Sequence, residues 1–318
     1  MATDGAADLQ RWREAPVYRL LSTGLPLEGN HLNKVWRGMC QKPGSTEPGI
    51  PMVVKWLSKP EALATELACT LAARALKLQV PAGALVLAER GQLPRLPQRV
   101  RGADTDLVMC FGSELQWPDD TTARPKQADA AEEWVWNKLC ATAQGPAGGA
   151  WDELLANTDR HCENVVFDGN RWWLIDHEAA LSSVARVMKQ FAQTAARQSV
   201  IDQHSKQNKL ASEVLRRRPS DHKMDTLPAA WSGLRTRLRW LIEQAQRWDG
   251  STQMLPVDNV LFMTSIYLSG IDLRLPALHW HLNQRMQIPA ADSLWNSSSN
   301  SASAKGPARR STSRRPRA

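Results

Sequence analysis

The sequence lacks any apolar run that approaches the roughly 20 residues needed to cross a bilayer. Its first residues, Met-Ala-Thr-Asp-Gly-Ala-Ala-Asp, also lack the basic and apolar regions of a signal peptide. These two absences predict a cytoplasmic protein without a membrane partner.

Cysteine pairs are missing as well. The five cysteines are odd in number and widely spaced, and none forms a Cys-x-x-Cys pair: Cys40, Cys69, Cys110, Cys140 and Cys162. This pattern disfavours both a disulfide framework and a zinc site. Over 318 residues, an apolar content of 42% and a charged content of 23% indicate a globular protein that can bury a large core.

Acidic residues are absent from the end of the chain. From Leu294 onward there is no Asp or Glu, and basic residues there supply six of the eight net positive charges. The segment is rich in serine and poor in apolar residues, which predicts a disordered basic tail over residues 293–318. Such a tail could contact nucleic acid or acidic partners, or it could only help to keep the protein soluble.

The most informative stretch is a predicted β-hairpin. The runs Val165–Phe167 and Arg171–Ile175 are rich in β-branched, aromatic and aliphatic residues and flank an Asp-Gly pair, which is a strong hairpin signal. We expect Phe167 to lie opposite Arg171 in this hairpin. The register then determines which polar residues meet at its open end.

In that register, Asn164 lies opposite Leu174, and Asp176 follows at the same open end. Together with Asp159 in the preceding loop, these residues offer two carboxylates and an amide oxygen, donors that suit Mg²⁺. Kinases hold metal and nucleotide with a catalytic-loop Asp, an Asn five residues later and an Asp after the next hairpin. The competing interpretation is an ordinary hairpin whose Asp and Asn residues only form turns.

A lysine interrupts one of the apolar strands. Lys55 lies within Met-Val-Val-Lys-Trp, where an unpaired ammonium is costly, so it should have an anionic partner. In kinases such a lysine contacts the α- and β-phosphates and pairs with a helix glutamate. Because Ser58 and Glu61 fit a capping box, we expect Glu66 to be the partner. An edge-strand lysine and a surface glutamate remain the alternative.

These motifs carry a family resemblance. Asn-Thr-Asp-Arg-His-x-x-Asn, followed by Leu-Ile-Asp-His, resembles the catalytic core of the HipA-like kinases, and Asp-Arg-His-x-x-Asn is shared with phosphoinositide lipid kinases. The resemblance implies an α+β, two-lobed protein-kinase-like fold with an antiparallel-sheet N-lobe (15–112) and a mainly helical C-lobe (113–292). It implies ATP and Mg²⁺ as cofactors, Asp159 as the catalytic base, and Asn164 and Asp176 as metal ligands.

Two departures from eukaryotic protein kinases accompany this resemblance. The positions usually occupied by Phe-Gly after the metal Asp are His177 and Glu178, and no Ala-Pro-Glu motif follows Asp176. The first departure fits the HipA-like branch better. Arg160 and His161 are expected to brace the catalytic loop through hydrogen bonds, although His161 could instead be a packed histidine.

Three N-lobe strands are predicted at Val17–Leu21, His31–Met39 and Ile50–Trp56. The turn between the first two occupies the place of a phosphate-covering loop, which makes Gly24 and Gly29 candidate nucleotide contacts. Their spacing differs from Gly-x-Gly-x-x-Gly, so an ordinary hairpin loop is an equal alternative.

The last N-lobe strand is predicted over residues 106–112. It ends where a kinase hinge would present backbone groups to adenine, which makes Met109, Cys110 and Phe111 candidate adenine contacts. In the C-lobe, a helix over residues 128–142 should be broken at Gly145–Gly149, and a short helix over residues 150–156 should lead into the catalytic loop.

The leading hypothesis is an ATP- and Mg²⁺-dependent kinase that phosphorylates a Ser or Thr hydroxyl on a protein. A lipid or small-molecule kinase of the same fold and a non-catalytic nucleotide-binding module are the alternatives. An antitoxin-like partner is implied by the family resemblance alone.

Overall fold

The computed structural model describes residues 15–27, 33–97, 107–116, 127–181, 208–217, 231, 234–246, 256–275, 278 and 281–282. Its strands are β1 (Val17–Leu20), β2 (Leu25–Pro26), β3 (Lys34–Gln41), β4 (Ile50–Trp56), β5 (Gly83–Glu89), β6 (Leu107–Glu114), β7 (Val165–Phe167) and β8 (Trp172–Leu174). Its helices are α1 (Pro60–Ala75), α2 (Ala128–Cys140), α3 (Gln144–Leu155), α4 (Lys209–Arg217), α5 (Leu234–Arg237), α6 (Arg239–Gln246) and α7 (256–275). Gly29, His31 and the predicted tail lie outside the described residues.

The first six strands form one sheet in the order β1-β5-β6-β4-β3-β2, and β1 also pairs with β3, so the sheet closes on itself. The pairing of β1 with β5 is parallel, whereas the other pairings are antiparallel. The prediction of a purely antiparallel sheet was therefore wrong. A closed ring of five strands cannot alternate direction at every step, so one pair must be parallel.

Alternating residues divide the sheet between two apolar cores. Met52, Val54, Val86 and Cys110 belong to the core enclosed by the sheet, together with Trp36. Residues of opposite parity on β5 and β6 instead pack against α1 and the other helices. Because Lys55 neighbours Val54 on β4, this alternation places its side chain on the face that meets α1.

The second core extends beyond the sheet. It is continuous from α1 through α2 and α3 to residue 282, and therefore includes residues on both sides of the predicted boundary at 112. That boundary falls inside β6, which continues to Glu114 and pairs with both β4 and β5 up to Ser113. The division into two lobes remains a prediction.

Helix α1 starts later than predicted. Its N-cap is Lys59, in an extended conformation and without a side-chain capping bond, so the capping box of Ser58 and Glu61 was wrong. Pro60 explains the difference, because proline restricts the preceding residue to extended backbone and is itself suited to the first helical position. Glu61 remains exposed, whereas Glu66 lies on the buried face.

The predicted helix break at Gly145–Gly149 was also wrong, because α3 begins at Gln144 and runs through these glycines. Close packing explains their presence. A Cβ on Gly145 would lie 2.7 Å from the Cα of Cys140, and one on Gly148 would lie 2.8 Å from a methyl group of Leu210. The glycines therefore allow close approach to the end of α2 and to α4. Helix α3 ends at Leu155, and its C-cap Ala156 has a left-handed φ of 53°.

The β7–β8 hairpin is present, with a register that differs by one residue from the prediction. Phe167 pairs with Trp172, and Val165 pairs with Leu174. The difference arises in the turn. The carboxylate of Asp168 accepts hydrogen bonds from the backbone N–H groups of Asn170 (2.9 Å) and Arg171 (2.7 Å), which keeps Arg171 in the turn rather than in the strand.

Asp168 also anchors the turn to β8, because its other carboxylate oxygen accepts a 2.7 Å bond from the indole of Trp173. We expect Asp168→Ala to lower the free energy of unfolding by about 1–3 kcal/mol at pH 7, since three hydrogen bonds to one charged group are lost. Urea denaturation measures this difference, with Asn170→Ala as the control. A loss no greater than that of the control contradicts this role of Asp168.

The same substitution should show a defined pH dependence. Burial acts to raise the pKa of Asp168, but the bonds from Trp173, Arg171 and Asn170 outweigh burial and lower it. A lowered pKa means that the stabilisation is present above the unfolded-state value and is lost as the pH falls through the folded-state value. The stability difference between wild type and Asp168→Ala should therefore shrink in acid.

Within the described part of the chain, none of the helices is both long enough and apolar enough to pass through a membrane.

Candidate functional site

The site is built around the ammonium group of Lys55 on β4. Its Nζ lies 3.3 Å from Oε1 of Glu66 on α1, 2.8 Å from Oδ1 of Asp176 and 2.9 Å from Oε2 of Glu178. Burial acts to lower the pKa of Lys55, but the charges of Glu66 and Asp176 outweigh it and raise that pKa. Lys55 is therefore a fixed cation at neutral pH.

Glu66 joins the sheet to the segment that follows β8. One carboxylate oxygen meets Lys55, and the other accepts a 2.9 Å hydrogen bond from the backbone N–H of His177. The Glu66 side chain is 2% exposed, and burial raises its pKa to about 7, with Asp176 adding to the shift and Lys55 opposing it. The ion pair predicted from the sequence is present, with Glu66 rather than Glu61 as the partner.

Asp176 follows β8 directly and has a left-handed φ of 57°. Asparagine and aspartate adopt this conformation more readily than most residues, although it still costs energy. Burial acts to raise the pKa of Asp176, but the charge and hydrogen bond of Lys55 outweigh it and lower the pKa. Asp176 therefore presents an ionised carboxylate next to the lysine.

His177 contributes its backbone rather than its charge. Its ring is buried, and burial, together with the nearby charge of Arg160, lowers its pKa well below the ordinary value. The indole N–H of Trp151 lies 3.4 Å from Nε2 of the ring. The ring of His177 is therefore a neutral, buried imidazole.

Glu178 was not among the predicted site residues. Besides its contact with Lys55, its Oε2 accepts a 2.7 Å bond from the side-chain amide of Asn33, 145 positions earlier in the chain. The available sequence signal was a carboxylate two residues after Asp176, at a position where kinases usually have glycine. Glu178 gives the cluster around Lys55 three carboxylates for one cation.

Arg160 makes several hydrogen bonds next to the loop that carries Asp159. Its guanidinium makes two bonds to the buried carboxylate of Asp152 on α3, at 2.9 and 3.1 Å. Its Nη1 donates to the backbone carbonyls of Asn164 (2.8 Å) and Ile175. One buried side chain thus connects α3, Asn164 at the end of the loop and the residue before Asp176.

His161 is not buried in this way. Its side chain is 47% exposed, and its ring lies 3.9 Å from Glu163, a neighbour in the same loop. The side chain is therefore not packed in the core, and its bracing role remains a prediction. The contribution of His161 to the loop is its carbonyl, which accepts a 3.0 Å bond from the N–H of Asn164.

Asn164 and Asp159 are held together in the loop. The Asn164 amide donates a 2.9 Å bond to the carbonyl of Asp159, and Asn157 accepts the Asp159 N–H at 3.2 Å. The backbone carbonyl of Asn164 also accepts from Ile175, which places Asn164 beside the residue before Asp176. The side chain of Asp159 is exposed. The roles of these residues remain predictions.

The donor chemistry of Asn164 and Asp176 fits Mg²⁺. Because Nδ2 of Asn164 is used in the loop, its Oδ1 is the atom that could act as a ligand. Asp176 adds a carboxylate that is about one-third exposed. The described residues contain no cluster of three or more His, Cys, Asp or Glu suited to a metal. In Mg²⁺ sites, water and phosphate usually supply the ligands that the protein does not.

The predicted adenine contacts lie inside β6, in the strand where the sequence placed them. Phe111 pairs with Lys55 and Leu85, and Cys110 belongs to the core enclosed by the sheet. Met109 packs against the helical core. The strand was expected to end at 112 and continues to Glu114, so the connection after it begins two residues later than predicted. Their contact with adenine remains a prediction.

The glycine loop is described only in part. Gly24 is buried, its N–H donates a 2.8 Å bond to the carbonyl of Gln92, and a Cβ there would lie 2.9 Å from the Cβ of Trp36. Close packing against β3 therefore explains a glycine at this position and favours the hairpin-loop interpretation. Gly29 lies outside the described residues.

No protein family model and no curated protein matches the chain. Among solved structures, it resembles the proinflammatory kinase CtkA of Helicobacter pylori with a TM-score of 0.42 and 10% identity, over 83% of this chain and 97% of that one. It resembles a Golgi casein kinase with a TM-score of 0.28 and 12% identity, over 86% of this chain and 76% of that one. Both TM-scores are below 0.5, so the function proposed for this protein is based on its own residues.

Proposed function

We propose that this protein is a phosphotransferase of the kinase type, which transfers the γ-phosphoryl group of ATP to a hydroxyl group. One observation carries the proposal: Lys55 on the closed sheet is held by Glu66 on α1 and meets Asp176 directly after the β7–β8 hairpin. The separation in sequence between Lys55 and Asp176 is 121 residues, so the fold itself brings this pair together.

Each side chain has a distinct role in the proposed reaction. Lys55 binds the α- and β-phosphates, and Glu66 keeps its ammonium in place. Asp159 accepts the proton of the attacking hydroxyl. Because the Asp159 side chain is exposed in its loop, a hydroxyl on the surface of another protein can reach it. This exposure supports a Ser or Thr acceptor, as in the HipA-like kinases.

Asn164 and Asp176 would hold Mg²⁺, which neutralises phosphate charge when bound. The chain prepares these two residues through Arg160, whose bonds to Asn164 and Ile175 hold the segments that carry them. The neighbouring carboxylates make the same site unfavourable for an anion without a cation. ATP should therefore bind with its Mg²⁺.

The proposed function is tested by two measurements on the same preparation. Thermal melts with ATP alone and with ATP plus Mg²⁺ report nucleotide binding through the rise in melting temperature. Transfer of label from γ-labelled ATP to the protein itself, and to a panel of protein, lipid and small-molecule hydroxyls, reports catalysis. Stabilisation with no labelled product identifies a non-catalytic nucleotide-binding protein. If neither stabilisation nor labelled product is observed, the proposal is overturned altogether.

Lys55→Met is expected to lower the rate of phosphoryl transfer by about 10²–10³-fold, the typical effect of removing one group that stabilises transition-state charge. The variant should also bind ATP more weakly, because three carboxylates remain without their cation. Lys42→Met, an exposed lysine on the sheet side of the molecule, is the matched control. Steady-state kinetics that are equal for both variants contradict the role of Lys55.

A further inference from the structure

Glu178 occupies the place on Lys55 that a nucleotide phosphate would need. A lysine ammonium has three N–H donors. In this protein three carboxylates lie within 3.3 Å of Nζ, from Glu66, Asp176 and Glu178. A phosphate oxygen can therefore bind Lys55 closely only if one of these carboxylates moves.

Glu178 is the carboxylate best able to move. Glu66 is almost fully buried and is also bonded to the N–H of His177, so it is fixed at both oxygens. Asp176 has a short side chain and accepts a backbone bond from Glu178. The Glu178 side chain is longer and one-third exposed, and besides Lys55 it is held by the amide of Asn33.

We propose that Glu178 is a specificity-determining residue that makes nucleotide binding depend on a divalent cation. Its carboxylate lies 2.9 Å from the Lys55 ammonium and, with Glu66 and Asp176, surrounds that one cation with three carboxylates. A metal-free polyphosphate must displace Glu178 and is also repelled by the displaced carboxylate. A nucleotide that carries a divalent cation meets far less repulsion, because the cation neutralises both partners.

Asn33 supports this arrangement from the other side of the site. Its side-chain amide donates a hydrogen bond to Glu178, which joins the residue before β3 to the segment after β8 and holds the carboxylate next to Lys55. Removing this amide should make Glu178 easier to displace. Asn33→Ala therefore tests the same inference without changing any charge in the cluster.

The inference rests on the proposed nucleotide site and is tested by binding rather than by turnover. Isothermal titration with a non-hydrolysable ATP analogue is carried out in excess EDTA and in excess Mg²⁺. We expect Glu178→Gln to bind the metal-free analogue about 10- to 100-fold more tightly than wild type, as expected for loss of a competing bond to a charged group. Binding with Mg²⁺ should change by less than about threefold, so the ratio of the two affinities falls.

Glu47→Gln is the matched control, because it removes the same charge from an exposed position in the loop between β3 and β4. It should leave the ratio of the two affinities as in wild type. Asn33→Ala should shift the ratio in the same direction as Glu178→Gln, by a smaller factor, and it provides the test if Glu178→Gln does not fold.

The outcomes separate this inference from the proposed function. Suppose that the wild-type protein binds the analogue with Mg²⁺, but Glu178→Gln keeps the wild-type ratio of the affinities with and without Mg²⁺. The proposed role of Glu178 is then wrong and the kinase proposal stands. If Glu178→Gln does not fold, the same result with Asn33→Ala has the same meaning. If wild-type protein binds the analogue under neither condition, the proposed nucleotide site itself is wrong and the inference is overturned with it.

Discussion

Replacement of Asp159 by alanine is expected to reduce the rate of phosphoryl transfer by about 10²–10⁴-fold, the usual contribution of a general base. Nucleotide affinity should stay close to that of wild type, because the Asp159 backbone supplies the contact to Asn164 and is retained in the variant. The kinetic signature is a lower kcat with little change in the KM for ATP. Single-turnover transfer from γ-labelled ATP, combined with titration of the nucleotide, measures both quantities.

Asp129→Ala is a suitable control for this experiment, since Asp129 is an exposed aspartate in the first turn of α2. It should keep wild-type kinetics. Undiminished turnover in purified Asp159→Ala excludes Asp159 as the base. A loss of affinity as large as the loss of rate would instead identify Asp159 as a binding residue.

Replacement of Arg160 by methionine is expected to lower the free energy of unfolding by about 3–5 kcal/mol, because it leaves a buried charge without its partner. Both Arg160 and Asp152 have side chains that are fully buried. Methionine also removes the donor to the carbonyls of Asn164 and Ile175. Since domains of this kind are stable by only about 5–15 kcal/mol, the effect should be large in urea denaturation.

A double-mutant cycle identifies the cause of this loss. Asp152→Asn should be destabilising alone but should recover part of the stability of Arg160→Met, because the double variant no longer buries an unpaired charge. Arg239→Met is the comparison, since Arg239 forms an exposed pair with Glu243 that should contribute little. Additive effects of Arg160→Met and Asp152→Asn, or a cost of Arg160→Met as small as that of Arg239→Met, contradict this account.

The parts of the site that could be predicted depend on local sequence. Lys55 is conspicuous because it interrupts an apolar strand, and the β7–β8 hairpin has a strong turn signal. Glu66 could be selected because helical periodicity places it beside the buried face of α1. In each case the chemistry of a few neighbouring residues was enough.

What could not be predicted depends on contacts between distant segments. The bond between Asn33 and Glu178 has no local signal, since the two residues are 145 positions apart in the chain. The glycines of α3 led to the prediction of a helix break. That prediction failed because their use in close packing appears only once α2 and α4 are in place. Likewise, the parallel pairing of β1 with β5 follows from closure of the ring, which no single strand encodes.

Glu66 has a mechanical consequence beyond its electrostatic one. Its two carboxylate oxygens accept hydrogen bonds from different segments, one from the Lys55 ammonium on β4 and one from the backbone N–H of His177. Helix α1 therefore cannot shift without stretching both of these hydrogen bonds. A ligand that displaced α1 from its exposed side would therefore move β4 and the segment over residues 176–178 together, because this one carboxylate is bonded to both.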